Sequence, residues 1–503
     1  MARTELAGKL STSRWEDTHS IVRLSAAAFV CFTFIIPLIL SQYDYSAMQV
    51  FLAMILLGLC LYPLYRYIRK REVGVPVLPL LCIAYAAQFV IPIFTREAIM
   101  ALAYDDAYLD SNDVIVALAM TIIGILVMQM AYHLMRKKRI SNALPAVSLP
   151  LNVNRSILYC FSIFLLLQIL RSIQTFLWEK SELQFSAIIG LLQNQALVAI
   201  GILGWIVYTG RGGKWLKLIL YLMLIITVIR NATTTMLESV LVPITVLLIA
   251  KWIYSRRVPI LGFAFIGVLI VFLSPVKSDI RRSVSENESA TDSSVTIRSL
   301  QWIEQATDYW VSALTEQHNF LESASDTTSR TDLIHQFTYI YASTPSRVPY
   351  QYGESYKYFA VALIPRALWP GKPEANNANN FYAINYGVST EQVLESTTFG
   401  VTLIGEGYMN FGFFGVLLVM FMQGAILSLL EQIFAGPKAG AGGWAIFIAS
   451  FVFFLNGIGS SAEVMFGAIL QNLIFSSILL WWVREKMHDK RDINLSLASL
   501  ITK

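Results

Sequence analysis

The chain has 503 residues, 56% of them hydrophobic and only 14% charged, with a mean hydropathy of +0.57; that balance excludes an ordinary soluble domain. Its net charge of +5 is distributed as membrane topology and offers no nucleic-acid site.

In chain order, a hydrophilic arm (1–23) carrying Arg3, Lys9, Arg14 and Arg23 precedes a first apolar stretch at 24–41. That stretch is long enough to remain as an uncleaved signal helix. An apolar helix of about 20 residues crosses the roughly 30 Å hydrocarbon layer. Further segments of this kind lie at 47–65, 75–94, 114–135, 156–178, 185–208, 215–229, 236–254, 258–275, 411–434, 444–460 and 464–483. The expected fold is therefore an all-α polytopic membrane protein of about twelve transmembrane helices. Its parts are a nine-helix bundle (24–275), a large, mainly helical loop between helices nine and ten (276–400), three C-terminal spans (401–483) and a tail (484–503).

Short loops rich in Lys and Arg stay cytoplasmic. The arm, Arg66 to Arg71, Arg136 to Arg139, Arg211 to Lys217, Lys251 to Arg257 and Arg484 to Arg491 all fall on one side by alternation. Asp44, the acidic run Asp105 to Asp113, and Glu179 with Glu182 fall on the other. Both termini are expected to be cytoplasmic and the large loop outward. From Lys277 to Thr398 that loop holds nine Lys and Arg against fourteen Asp and Glu, a net of −5. The cysteines, Cys31, Cys60, Cys82 and Cys160, all lie in apolar segments. The loop is thus expected to lack disulfides, and no His/Cys spacing suggests a metal or other cofactor.

Polar residues inside spans are costly and mark function or pairing. Gln168 and Arg171 lie past the midpoint of helix five, Arg230 closes helix seven and Glu238 opens helix eight. Arg96 and Glu97 end helix three, Glu463 begins helix twelve, and Gln193, Asn194 and Gln195 sit near the middle of helix six. Together they predict a polar cavity opening outward beneath the loop; singly, Arg96, Arg230, Glu238 and Glu463 can snorkel to the interface. Arg171, about two turns inside, needs an anionic partner or ligand.

The loop opens with a Ser, Glu and Asn-rich stretch, 283–294, without apolar periodicity. From Val295 to Leu314, Leu300, Ile303, Ala306, Trp310 and Leu314 recur at helical spacing and predict an amphipathic helix lying on the membrane or roofing the bundle. An apolar patch spans Leu333 to Tyr341. Tyr350, Tyr352, Tyr356 and Tyr358 then crowd one stretch, and such rings suit sugars as well as interfaces. The densest motif runs through Tyr352-Gly-Glu-Ser-Tyr-Lys-Tyr, Ile364-Pro-Arg-Ala-Leu-Trp-Pro-Gly-Lys-Pro373, Thr397-Thr-Phe-Gly and Gly405-Glu-Gly-Tyr-Met-Asn-Phe-Gly412. Pro365, Pro370 and Pro373 fix the backbone around Arg366 and Lys372, presenting two cations rigidly. Glu406 is either a charge at a helix N-terminus or a catalytic base, with Asn410 one turn on.

With their span layout, these segments resemble the Wzy-type oligosaccharide repeat-unit polymerases of bacterial surface polysaccharides. An Arg-x10-Gly pattern of some members is missing: Asn377 stands eleven residues after Arg366, and Tyr358 after Arg347. The resemblance implies a GT-C-like architecture in a bacterial inner membrane, with the loop in the periplasm. It implies a metal-independent glycosyltransferase that moves glycan from undecaprenyl pyrophosphate to a sugar hydroxyl, with a chain-length regulator protein and membrane lipid as further partners. Arg366, Arg171 and Arg230 would stabilise the departing pyrophosphate. Glu406 is the first choice of base, with His335 and His318 as alternatives. Arg347, Lys372, Tyr352, Tyr356, Tyr408, Asn410 and Glu238 are expected to bind substrate.

O-antigen ligase is the nearest alternative, sharing the donor. A polyprenyl-phosphate-sugar glycosyltransferase would use Asp105, Asp106, Asp110 and Asp113, which also read as a solvated acidic loop. A lipid-linked oligosaccharide flippase would show internal repeats and midplane charges, and neither is visible.

Overall fold

The computed structural model describes residues 45–70, 75–104, 106–145, 147–176, 184–232, 237–255, 258–276, 295–314, 332–357, 359, 369, 377–394, 399–436 and 439–485. Among them are ten helices long and apolar enough to cross a membrane. The chain is an all-α, multi-pass membrane protein. The predicted first span, 24–41, lies outside the described residues.

In order, the elements are α1 (Ala47–Arg69), α2 (Val77–Phe89, followed by Ile91–Thr95), α3 (Ser111–Met135), α4 (Val153–Phe176), α5 (Gln184–Tyr208), α6 (Lys214–Ala232), α7 (Leu237–Ser255) and α8 (Ile260–Leu273). Then come α9 (Val295–Leu314), α10 (Leu333–Ser343), α11 (Asn377–Asn385), α12 (Leu403–Phe434), α13 (Gly440–Asn456) and α14 (Ala462–Val483). With 14 residues, α8 is shorter than the predicted 258–275.

Lipid gives helices no hydrophobic reason to associate, so close packing decides which faces meet. Gly424 of α12 sits against the Met128 carbonyl of α3, and Gly124 of α3 against Met420 and Val416. Gly201 and Gly204 of α5 lie against Ala445 of α13 and Ala250 of α7. These contacts put α5 and α13 on the bundle axis, each 72% buried over its apolar window, whereas α6 at 17% faces outward. Gln195, expected to line an open cavity, is buried instead. Its Oε1 accepts from Tyr159 at 3.1 Å and from Ser476 at 3.1 Å, joining α4, α5 and α14.

The helix ends sort into two sets. Arg66 meets His133, Arg136 meets Glu431, and Glu485 N donates to the Pro150 carbonyl at one end. At the other, Arg96 pairs with Asp332, and Ala103 N donates to the Gly387 carbonyl. The described part of the 276–400 stretch is packed at this second end. There α9 lies across the terminus of α8: the Trp302 and Trp310 indoles donate to Leu273 O (3.2 Å) and Phe272 O (3.1 Å), carbonyls that α8 leaves without helical partners. The buried stripe of α9 is Trp302 and Ala306, while Ile303 is 52% exposed. Ala306 and Trp310 of the predicted stripe face inward, whereas Ile303 gives way to Trp302, whose indole bond to Leu273 O turns it to the inner face.

Three features were not foreseen. Ile99–Ala101 and Asp106–Tyr108 pair as an antiparallel hairpin, and Asp110 of the acidic run caps α3 by accepting from Asn112 N at 2.7 Å. Moreover α12 breaks at Phe411 and Gly412, the latter at φ 60°, in the left-handed region that glycine tolerates. A Cβ on Gly407 would meet the Gly415 carbonyl at 2.8 Å, although eight residues of straight helix would separate them by about 12 Å. Residues 403–410 thus fold back on the membrane part, and the predicted start at 411 coincides with the break.

Gly424→Leu is expected to lower the unfolding temperature in detergent, since overpacking costs about 1–3 kcal/mol and the Met128 backbone has no rotamer to change. Gly58→Ala, where a Cβ meets nothing within 4 Å, is expected to leave it unchanged.

Candidate functional site

The folded-back piece of α12 organises the loop end. Thr402, at φ 61°, caps it by accepting from Gly405 N. One turn on, the fully buried Glu406 accepts from the Ser355 hydroxyl at 2.8 Å through Oε1 and from Ala462 N at 2.6 Å through Oε2. Asn410 accepts from Gly353 N (2.9 Å) and donates to Ser355 Oγ (2.8 Å). Backbone bonds from Gln351 N to Met409 O and from Tyr352 N to Asn410 O complete the seam. A buried carboxylate is tolerable only when hydrogen bonded, and the first N–H groups of α14 are suited to a negative charge. Glu406 thus sits at a helix terminus; each of its oxygens keeps a second lone pair, but the side chain is closed off from solvent.

The tyrosines divide by exposure. Tyr408 is buried between Phe337, Tyr341 and Tyr350 at 5.6–6.2 Å between ring centroids. Tyr356 stacks on Phe411, and burial, reinforced by the Glu406 carboxylate, holds its phenol well above the ordinary value. Tyr352 is different: 77% exposed, with φ 48°, it is held outward by its bond to Asn410 O.

His335 belongs to a cap. Asp332 precedes α10 and accepts from His335 N at 3.1 Å, from His335 Nδ1 at 2.8 Å and from Arg96 Nη1 at 3.1 Å. Arg96, expected to snorkel, instead ties the 96–110 connection to the large loop. Arg347 donates to the Tyr339 hydroxyl (2.8 Å), which donates to the Tyr386 carbonyl (2.8 Å). Burial pushes the Tyr386 phenol up to about 12, so it stays a neutral partner for Thr344 Oγ1 at 2.5 Å.

A second group lies on the helices. Arg171 donates to Asn231 Oδ1 at 2.9 Å, Asn231 to Ser239 O at 2.7 Å, Arg230 to Ser172 Oγ at 3.4 Å, and Asn456 to Glu238 Oε1 at 2.8 Å. Two guanidinium groups and the exposed Glu238 carboxylate are thereby held on α4, α6 and α7. The turn from Asn456 to Ala462 joins this group to Glu406. Gly459 within it packs on Leu333, and a Cβ on Gly400 would collide with the Gly459 carbonyl. Beyond the turn, Glu463 is buried in the first turn of α14, and Phe359 packs on Phe466 at 6.3 Å.

Arg366, Lys372 and His318 lie outside the described residues. Asn231, Asn456 and Ser355 were not foreseen: Asn231 adjoins Arg230 and Ser355 sits inside the quoted tyrosine motif, but nothing in spacing distinguishes a neutral partner. Among the described residues no three His, Cys, Asp or Glu side chains converge to hold a metal ion.

A family model described as a domain of unknown function (DUF8712) matches residues 110–491. The chain belongs to that family, which spans α3 to the end of α14 and so contains both groups. No curated protein and no solved structure matches the chain.

Glu406→Ala should destabilise the protein by about 2–3 kcal/mol, read as thermal unfolding in detergent, because it orphans Ser355 and Ala462 N together. Ser355→Ala alone should cost about 1 kcal/mol. Equal losses would mean that the carboxylate does not bridge the two segments.

Proposed function

We propose that this protein is a membrane glycosyltransferase that joins lipid-linked oligosaccharide repeat units, a polymerase of the Wzy type for bacterial surface polysaccharide. The supporting observation is the gathering of Arg171, Arg230 and Glu238 on α4, α6 and α7, which the 456–462 turn links through Glu406 and Asn410 to the loop segment that presents Tyr352.

In this reaction the acceptor hydroxyl attacks the anomeric carbon of the donor glycan. A C–O bond forms, the bond to undecaprenyl pyrophosphate breaks, and the acceptor proton leaves to a base. Departing pyrophosphate concentrates negative charge, which guanidinium groups match with paired donors. Arg171 and Arg230 supply that charge, together with Arg366. In a water-poor site such stabilisation reaches several kcal/mol. Glu238, exposed and next in the chain to Ser239, whose carbonyl takes the amide of the Arg171 partner Asn231, is the base we favour. Glu406 and His335 then act by positioning, the former between loop and α14 and the latter between α10 and Arg96. Tyr352 offers a ring face to a sugar.

Arg66, Arg69, Lys70, Arg136, Lys137, Arg211, Lys214, Lys217 and Arg484 lie at the end opposite the loop. The positive-inside rule favours a cytoplasmic side for that end, which supports a reaction on the periplasmic side of the inner membrane. A chain-length regulator would meet the enzyme there.

Arg171→Ala and Arg230→Ala are each expected to cut polymer at least a hundredfold, equivalent to about 2.7 kcal/mol, with normal membrane insertion. Surface polysaccharide resolved on a gel should show single-repeat products. Unchanged chain lengths would remove the arginines from the chemistry; bare lipid A core with accumulated lipid-linked polymer in a deletion strain would indicate a ligase.

A further inference from the structure

The end of the bundle away from the loop carries cations that the proposed reaction does not use. On α1, Phe51, Ile55, Tyr62 and Tyr65 are exposed at helical spacing and form a lane that finishes at the exposed Arg69. On α3 a second exposed lane runs through Ile123, Leu126 and Met130 to His133. The two helices lie side by side: Gln129 Nε2 donates to Leu59 O at 2.9 Å, and Arg66 Nη1 donates to His133 Nε2 at 3.3 Å. Both lanes are therefore apolar along the membrane and end together on positive charge.

The cations there lack anions. Among the described residues Arg66, Arg69 and Lys70 have no carboxylate partner; Arg69 Nη1 donates to the Tyr65 hydroxyl at 3.3 Å. Glu431 is taken by Arg136 at 3.1 Å and by the Tyr132 hydroxyl. Arg66, Lys70 and Arg136 all lie within electrostatic reach of the His133 ring. Because Arg66 donates to Nε2, that ring keeps its proton on Nδ1, a further donor at the same place. Like charges gathered this way repel unless an anion sits among them, and guanidinium forks match phosphate oxygens.

Position identifies which phosphate. The headgroups of a bilayer lie just beyond its roughly 30 Å hydrocarbon layer, at the level of these helix ends, and basic pockets between membrane helices suit anionic headgroups. From Tyr65 back to Phe51 the α1 lane covers about 21 Å of helix rise, enough to line the acyl chains of one leaflet. A free phosphate would gain nothing from the lanes. We propose that the α1–α3 seam binds an anionic phospholipid of the adjoining leaflet, its phosphate among Arg66, Arg69, Lys70 and His133 and its chains along the two lanes. The site is separate from the glycosyl-transfer reaction and does not rest on it.

The test uses the full chain purified in detergent. Phosphatidylglycerol, phosphatidylcholine with the same acyl chains and inorganic phosphate serve as probes, and native mass spectrometry counts the bound molecules. Wild type should hold phosphatidylglycerol at least tenfold more tightly than phosphatidylcholine, and inorganic phosphate should not displace it. Arg66→Gln combined with Arg69→Gln should reduce that preference at least tenfold. Because Arg66 also joins α1 to α3, Arg69→Gln combined with Lys70→Gln is a second variant confined to exposed groups. It should reduce the preference without lowering the unfolding temperature in lipid-free detergent. Arg211→Gln, which removes a cation 4.8 Å over the Trp205 ring at the same end, should leave the preference intact. The proposal fails if wild type shows no preference or if both double variants keep it. It fails equally if Arg211→Gln lowers the preference as much, since net charge and not the seam would then be responsible. Displacement by inorganic phosphate would show that a free anion suffices and would overturn the lipid as occupant.

Discussion

The loop end depends on one buried carboxylate. Glu406 holds Ser355 with one oxygen and Ala462 N with the other, fastening the tyrosine segment, the folded-back piece of α12 and the start of α14 at a single point. Its desolvation is offset only because these donors are fixed in advance. The fixing comes from backbone: Gly412 breaks the helix at positive φ, and Gly407 and Gly415 lack the side chains that would keep the two pieces apart. Any change that straightens the break would carry Glu406 away from Ala462.

From this point the remaining order follows in two directions. Through the 456–462 turn, Asn456 reaches Glu238, and Asn231 with Ser239 extends the chain to Arg171. Through α10, the Asp332 cap reaches Arg96, and Ala103 meets Gly387. Helix-borne cations and a loop-borne aromatic segment are thereby tied into one hydrogen-bonded frame.

Much of the bundle was legible because span length and apolar content leave few alternatives in lipid: α1 to α7 and α12 to α14 fall where hydropathy put them. The break in α12 was foreseen only as a helix start, since glycines at 405, 407, 412 and 415 do not reveal which one adopts positive φ. The hairpin at 99–108 was hidden because three-residue strands have no periodicity to read. In the site, charged residues announced themselves by their depth, as Arg171 did. Their neutral partners did not, because Asn231, Asn456 and Ser355 acquire meaning only from contacts distant in sequence. Tyr408 and Tyr356 looked alike to Tyr352 in the motif, and three-dimensional packing alone separates the buried rings from the outward one.

The most direct measurement is reconstitution: the purified chain in liposomes, supplied with lipid-linked repeat units and no other enzyme, with products resolved by size. The account predicts a ladder of joined repeats and release of polyprenyl pyrophosphate in equal number to the bonds formed. Movement of unjoined units across the bilayer, with no ladder, would contradict it and identify a transporter.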